Sequence, residues 1–244
     1  GLVIADTDEG IPGGGNLQIS GNGVEVTLTN SNNSFTGLAS VVAGATLVFG
    51  NDNVVANANR LSIEAGSYAK FGSTDQYVTR IEAGNSSGGS LISASDQSNT
   101  LTVANGGSVS GANDRFYMDW VLESGQLTIT DGLSLGHGDA ALQKGVTLNI
   151  SGASASGSFA NNLSGDGALS VTSGANVDLT GKNDALIGGL TVDGTSKVTA
   201  SDDIYSHIGT GAIVLNGTAD FTLTEGADAE NWTWSRKVSG SGKL

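Results

Sequence analysis

The pentapeptide Gly132-Leu-Ser134-Leu-Gly136, with His137 beside it, has the outline of a nucleophile elbow, a serine held on a sharp turn within reach of a base. An elbow needs a helix after the turn and an oxyanion hole. Leu133 and Leu135 instead continue an alternating strand pattern with Gly132 at its corner, so Ser134 is expected to face solvent. The other histidine, His207, is distant in sequence, and two histidines give no recognisable metal-ligand spacing. Carboxylates suited to general acid or base work gather at Asp6, Asp8 and Glu9, at Asp202 and Asp203, and at Asp228 and Glu230. Their scatter fits solvated turns, and no Arg or Lys recurs at one position of the internal repeat. Gly13-Gly-Gly-Asn-Leu lacks the Asp of a calcium-binding nonapeptide. With no cysteine there is no disulfide or thiolate chemistry. The expectation is a non-enzymatic chain without metal or cofactor.

Two groups of residues suit binding. Arg115, Tyr117, Asp119 and Trp120 lie in the aromatic-rich stretch 112–124, and Arg, Tyr and Trp are favoured interface anchors. The competing reading is that these side chains plug the core where one coil is longer. The second group is made of polar turns, Asn32 and Asn33, Asn51 and Asp52, Asn161 and Asn162, Asn183 and Asp184. If the turns stack in rows they could zip against a partner by many hydrogen bonds, each worth only about 0.5–1.5 kcal/mol net, so that avidity would be required. Solvated turns explain the same composition without a partner. Trp232, Trp234, Arg236 and Lys237 read as core or edge-covering residues.

The elements that must position these groups follow from composition and period. The 244 residues include 38 Gly and 1 Pro, with 38% hydrophobic and 5% aromatic residues. Interior Gly costs a helix roughly 1 kcal/mol relative to Ala, which disfavours a helical protein, and collagen is excluded by the single Pro. The net charge of −14 argues against nucleic acid, whose phosphates require clustered Lys and Arg. No apolar run is long enough to span a membrane, and residues 1–30 show no signal peptide.

Alternating pairs open at Leu17, Ala39, Leu61, Thr79, Leu101, Leu127, Leu148, Leu169, Leu190 and Ile213, a period of about 22 residues. A large aliphatic residue follows two positions later in each unit, and a Gly follows four or five positions later, as a sharp corner after a short strand requires. Eight positions after the opening, Leu47, Ala69, Val109, Leu135, Val177, Val198 and Phe221 indicate a second strand. Such a unit cannot bury its apolar face alone and must stack on its neighbours. The reading is an all-β, right-handed parallel β-helix of 10–11 coils, a single segment over 1–244, interrupted by an aromatic insertion at 112–124 and by an insertion at 224–237. Leu163-Ser-Gly-Asp-Gly-Ala-Leu169 recurs as Val238-Ser-Gly-Ser-Gly-Lys-Leu244, which places a truncated final coil at the end and suggests a piece of a longer protein. In this register Val171→Asp should be severe and Asn161→Asp nearly silent.

The stretch Gly21–Asn51 resembles the passenger repeat of Gram-negative type V autotransporters, through Gly21, Gly23, Leu28, Thr29, Asn33, Phe35, Thr36, Gly37, Val41, Ala43, Gly44 and Leu47. Gly-x-Gly-x-Leu at 165–169 and 240–244 resembles the start of the same repeat. The resemblance implies a secreted or outer-membrane-anchored passenger at the bacterial surface, of the AIDA-like, self-associating adhesin branch. Its expected work is aggregation, biofilm formation or binding of a host-surface protein or glycan, without membrane insertion of this segment. The chain departs from the protease branches in lacking Gly-Asp-Ser-Gly. A structural stalk and a carbohydrate-acting lyase or glycosidase are the alternatives.

Overall fold

The computed structural model describes residues 14–84, 90–94, 98–201, 207–222 and 237–244. Within them the chain winds as a parallel β-solenoid. Sheet A runs the whole length in eleven strands, from Leu17–Ser20 through Leu38–Val42, Arg60–Ile63, Ile81–Ala83, Gly107–Val109, Gln126–Ile129, Thr147–Ser151, Ala168–Thr172, Leu190–Val192 and Ile213–Leu215 to Val238–Ser239. Every ladder between them is parallel. Parallel neighbours in one sheet require the chain to travel elsewhere and return, and here the return path is one coil.

Alternation decides which side chains face inward. Ile19, Val41, Ile63, Ala83, Val109, Ile129, Ile150, Val171, Val192 and Leu215 form one buried column, and Ala39, Leu61, Ile81, Leu127, Leu148, Leu169, Leu190 and Ile213 another. Burying one such aliphatic side chain contributes roughly 1.5–3 kcal/mol, and the columns repeat that gain at every coil. The second column contains one gap, Gly107. It sits at φ 135°, and a Cβ there would lie 1.8 Å from the Ile81 carbonyl oxygen, so only glycine lets this strand close on its neighbour.

The other walls change along the rod. After sheet A the chain enters sheet B in the N-terminal coils (Glu25–Leu28, Thr46–Phe49, Tyr68–Phe71, Leu91–Ile92) and sheet D in the C-terminal coils (Ser156–Phe159, Asn176–Leu179, Lys197–Ser201, Thr218–Thr222). Sheet C forms a third wall in the middle from Gln76–Val78, Thr100–Val103, Asp119–Leu122, Ala140–Leu142 and Leu163–Ser164.

This arrangement corrects the register at two openings. The fourth unit opens at Ile81 and not Thr79, and the fifth at Gly107 and not Leu101. Leu101-Thr-Val103 has the expected alternation but belongs to sheet C, paired with Gln76–Val78 and Trp120–Leu122. Alternation reports that a strand has a buried side without saying which wall it lines, and Gly107 hid the true opening. Val109 consequently lies in sheet A, and Leu135 lies in a turn rather than a second strand. The two look-alike heptads also occupy different walls, since Leu163 is in sheet C and Val238 in sheet A, so a coil opens at Val238 rather than at Leu244.

Candidate functional surface

Trp120 is the first correction among the candidate binding residues. It occupies an inward position of the sheet C strand Asp119–Leu122, is 1% exposed, and donates its indole N–H to the Leu135 carbonyl at 2.9 Å. It packs within an aromatic chain, Phe49 on Phe71, Phe71 on Phe116 and Phe116 on Trp120, with centroids 4.4, 5.4 and 5.5 Å apart. Such pairs add about 0.5–1.5 kcal/mol beyond area burial. Trp120 is therefore part of the core and not an anchor for a partner. Arg115 and Asp119 remain exposed, and half-buried Tyr117 stacks on His137 at 4.8 Å.

Three of the turn asparagines are also turned inward. Asn33, Asn161 and Asn183 are buried and bind the backbone of an adjacent coil. Asn33 donates to the Val54 carbonyl at 3.1 Å, and Asn161 to the Gly136 and Gly138 carbonyls at 3.0 and 2.7 Å. Asn183 accepts the Leu163 N–H at 2.7 Å and donates to the His207 carbonyl. A fourth, Asn113, accepts the Leu91 N–H and donates to the Ser134 carbonyl. These amides satisfy corner backbone groups that the ladders leave unpaired, so they are unavailable to a partner and Asn161→Asp is not a silent change.

The exposed and half-buried turn residues stitch coils together as well. Asp52 accepts the Asp75 N–H at 2.9 Å, Asp75 the Thr100 N–H at 2.8 Å, Asp119 the Asp139 N–H at 2.8 Å, and Asn162 the Lys182 N–H at 2.7 Å. Asn51 donates to the Thr29 carbonyl at 3.1 Å. Asn32 and Asp184 stand exposed. The turns do stack in rows, and Asn51, Asp52 and Asn162 each spend a hydrogen bond on an adjacent coil.

Ser134 is buried, contrary to its expected exposure, and its hydroxyl accepts the Asp131 N–H at 3.1 Å inside a turn. His137 reaches the Asp114 carbonyl at 3.1 Å and makes no contact with that hydroxyl. Among the described residues no group of three or more His, Asp or Glu is placed to hold a metal ion, and no helix is long and apolar enough to cross a membrane. The acidic groups at 6–9, 202–203 and 228–230, and Trp232, Trp234 and Arg236, lie outside the described residues.

Two surface features were hidden in the sequence. On the outer side of sheet A, Ser108, Thr128, Asn149, Ser170 and Thr191 form one register column, with paired Ser151 and Thr172 beside it; Asn149 is largely covered, at 8% exposure, and accepts the Thr172 hydroxyl at 3.0 Å. This strip of small polar side chains carries no charge. Nearer the N-terminal end, Arg60 and Arg80 occupy equivalent positions of successive strands, just before paired Leu61 and Ile81. An opening at Thr79 puts Arg80 out of line with Arg60 and conceals this recurrence of a basic residue. Both guanidinium groups reach Glu82, Arg60 Nη1 at 2.8 Å from Oε2 and Arg80 Nε at 3.3 Å from Oε1. With Asn16, Leu38 and Asn59 they line a shallow cavity of about 360 Å³. A second depression, about 330 Å³, lies between Asp131, Leu133, Ser156 and Ser158.

Asp193 terminates the outer strip. Desolvation acts to raise its pKa, but the Ser173 N–H, the Ser196 hydroxyl, and the N–H and hydroxyl of Thr195 outweigh it and lower it to about 2. The carboxylate thereby clamps two neighbouring coils, accepting Ser173 N–H at 2.7 Å and Thr195 N–H at 3.0 Å.

The chain is similar over 99% of its length to a protein named uncharacterized lipoprotein YdeK from Escherichia coli (strain K12), at 25% identity over 263 aligned positions. It spans only 18% of that relative's length. No protein family and no solved structure matches the chain.

Proposed function

We propose that the chain is a non-catalytic, surface-displayed stretch of a larger cell-envelope protein that works as an adhesin, holding a second copy of itself or a host-surface protein or glycan. The observation that carries this reading is the uncharged column Ser108, Thr128, Asn149, Ser170 and Thr191, whose parallel register repeats small polar chemistry over five successive coils, between Glu82 and Val214. Parallel strands are about 4.8 Å apart, so contacts worth about 0.5–1.5 kcal/mol each can add along the rod. The relative's name, a lipoprotein, supports an envelope setting. The likeness of Gly21–Asn51 to autotransporter passenger repeats supports carriage to the outer membrane or beyond.

A stalk that projects another region is the second reading. It is favoured by Asn33, Asn161 and Asn183, which use their amides inside the rod rather than on its surface.

Sedimentation velocity and small-angle scattering over a concentration series separate the two. Reversible dimers that Thr128→Lys and Ser170→Lys weaken together support adhesion through the outer strip. A rod that remains monomeric at every concentration overturns self-association and favours the stalk or a different partner.

A further inference from the structure

The Arg60–Arg80 cavity has the chemistry of a ligand site. The chain has 10 Lys and Arg against 24 Asp and Glu, so positive charge is scarce, yet two of its four arginines stand in register on adjacent strands. A single carboxylate, Glu82, holds both guanidinium groups, which leaves this trio with one net positive charge. Arg60 uses Nη1 and Arg80 uses Nε on Glu82, and a guanidinium carries five N–H donors in a planar fork, so each arginine keeps donors beyond the one that fixes it. Forks of this kind match the planar or tetrahedral oxygens of a carboxylate or sulfate. The arginine side chains are 39% and 45% exposed and therefore reachable from solvent.

The rest of the wall narrows the ligand class. Leu38 offers an apolar surface, and Asn16 and Asn59 place amides at the edge. Asn16 accepts the Leu38 N–H at 2.8 Å through its oxygen, so its NH₂ is the end left for a ligand hydroxyl. An apolar patch, amide donors and a pair of guanidinium groups around about 360 Å³ suit one sugar ring bearing an acidic group. Dense polyanions such as nucleic acid are disfavoured, because the −14 chain repels them at long range while the local excess is a single charge.

We infer that Arg60 and Arg80 form a binding site for an acidic saccharide, recognising its carboxylate or sulfate group while Leu38, Asn16 and Asn59 take the ring and its hydroxyls. The inference gives the adhesive reading a ligand class and rests on that reading for its biological setting.

The test is calorimetric titration of the purified 244-residue chain with a glucuronate-containing tetrasaccharide, a sulfated disaccharide, neutral maltotetraose, a Glu-rich tetrapeptide and sodium acetate. Either acidic saccharide should bind and the neutral one should not, and the two arms report whether carboxylate or sulfate is preferred. Arg60→Gln and Arg80→Gln should each weaken binding about tenfold with an unchanged melting curve, whereas Lys197→Gln, at the distant ion pair with Asp220, should leave it intact. The site is overturned if neither acidic saccharide binds, if the tetrapeptide or acetate binds as tightly, or if Lys197→Gln matches the arginine variants. Failure of this test leaves concentration-dependent self-association, read by sedimentation, unaffected, so the two proposals fall separately.

Discussion

Asn161 shows how much a single amide does in this rod. Its NH₂ bridges two carbonyls of the preceding coil, and replacement by Asp would set a carboxylate against both oxygens. Asn161→Asp is expected to lower the unfolding free energy by about 1–3 kcal/mol, measured by urea denaturation, while Asn32→Asp, at an exposed position, should change it little. Nothing in the sequence separates these two asparagines, because both sit in Asn-rich turns and burial depends on the neighbouring coil. Asp193 supplies a pH signature. Its pKa is depressed in the folded state, so its stabilisation is present above the ordinary carboxylate value of 3.8 and is lost as pH falls toward about 2. Thermal melts from pH 5 to pH 2 should show a shallower acid loss for Asp193→Asn than for the parent chain.

At the scale of elements, the sequence period made sheet A legible. Leu17, Ala39, Leu61 and Leu127 through Ile213 fall on the observed register because each opens an alternating pair and a corner glycine follows. At Leu101 the cause is that sheet C strands bury every second residue as sheet A strands do, whereas Thr79 lies between strands and the opening slips by two positions because the inward residue that follows Ile81 is the small Ala83. The Arg60–Arg80 cavity was lost through that same slip. Gly107 tests the corrected register: Gly107→Val fits the aliphatic column by hydropathy but drives a Cβ into the Ile81 carbonyl. It should reduce the melting temperature strongly, by a few kcal/mol in stability, although an unclashing valine would gain from burial. Val171→Asp, at a fully buried position, should be equally damaging through its unpaired carboxylate. A cooperative melt unaltered by either change would contradict this stacking order.

For the whole molecule, eleven parallel strands at about 4.8 Å set a rod axis of roughly 50 Å for sheet A. Scattering should return an elongated particle, and a near-spherical profile would refute the solenoid. The proposed adhesion strip and saccharide site both live on the outer side of this one sheet and adjoin where Glu82 pairs with Ser108.

The spacing of Leu127, Leu148, Leu169 and Leu190 carries a consequence for ancestry. Each is offset from the previous one by the same interval and lands in the same register. A gene that duplicates or excises one such interval joins like to like, preserving the ladder on both sides of the junction. Length is thus a heritable variable in this architecture, able to drift by whole coils while the chemistry displayed on its surface is copied or thinned.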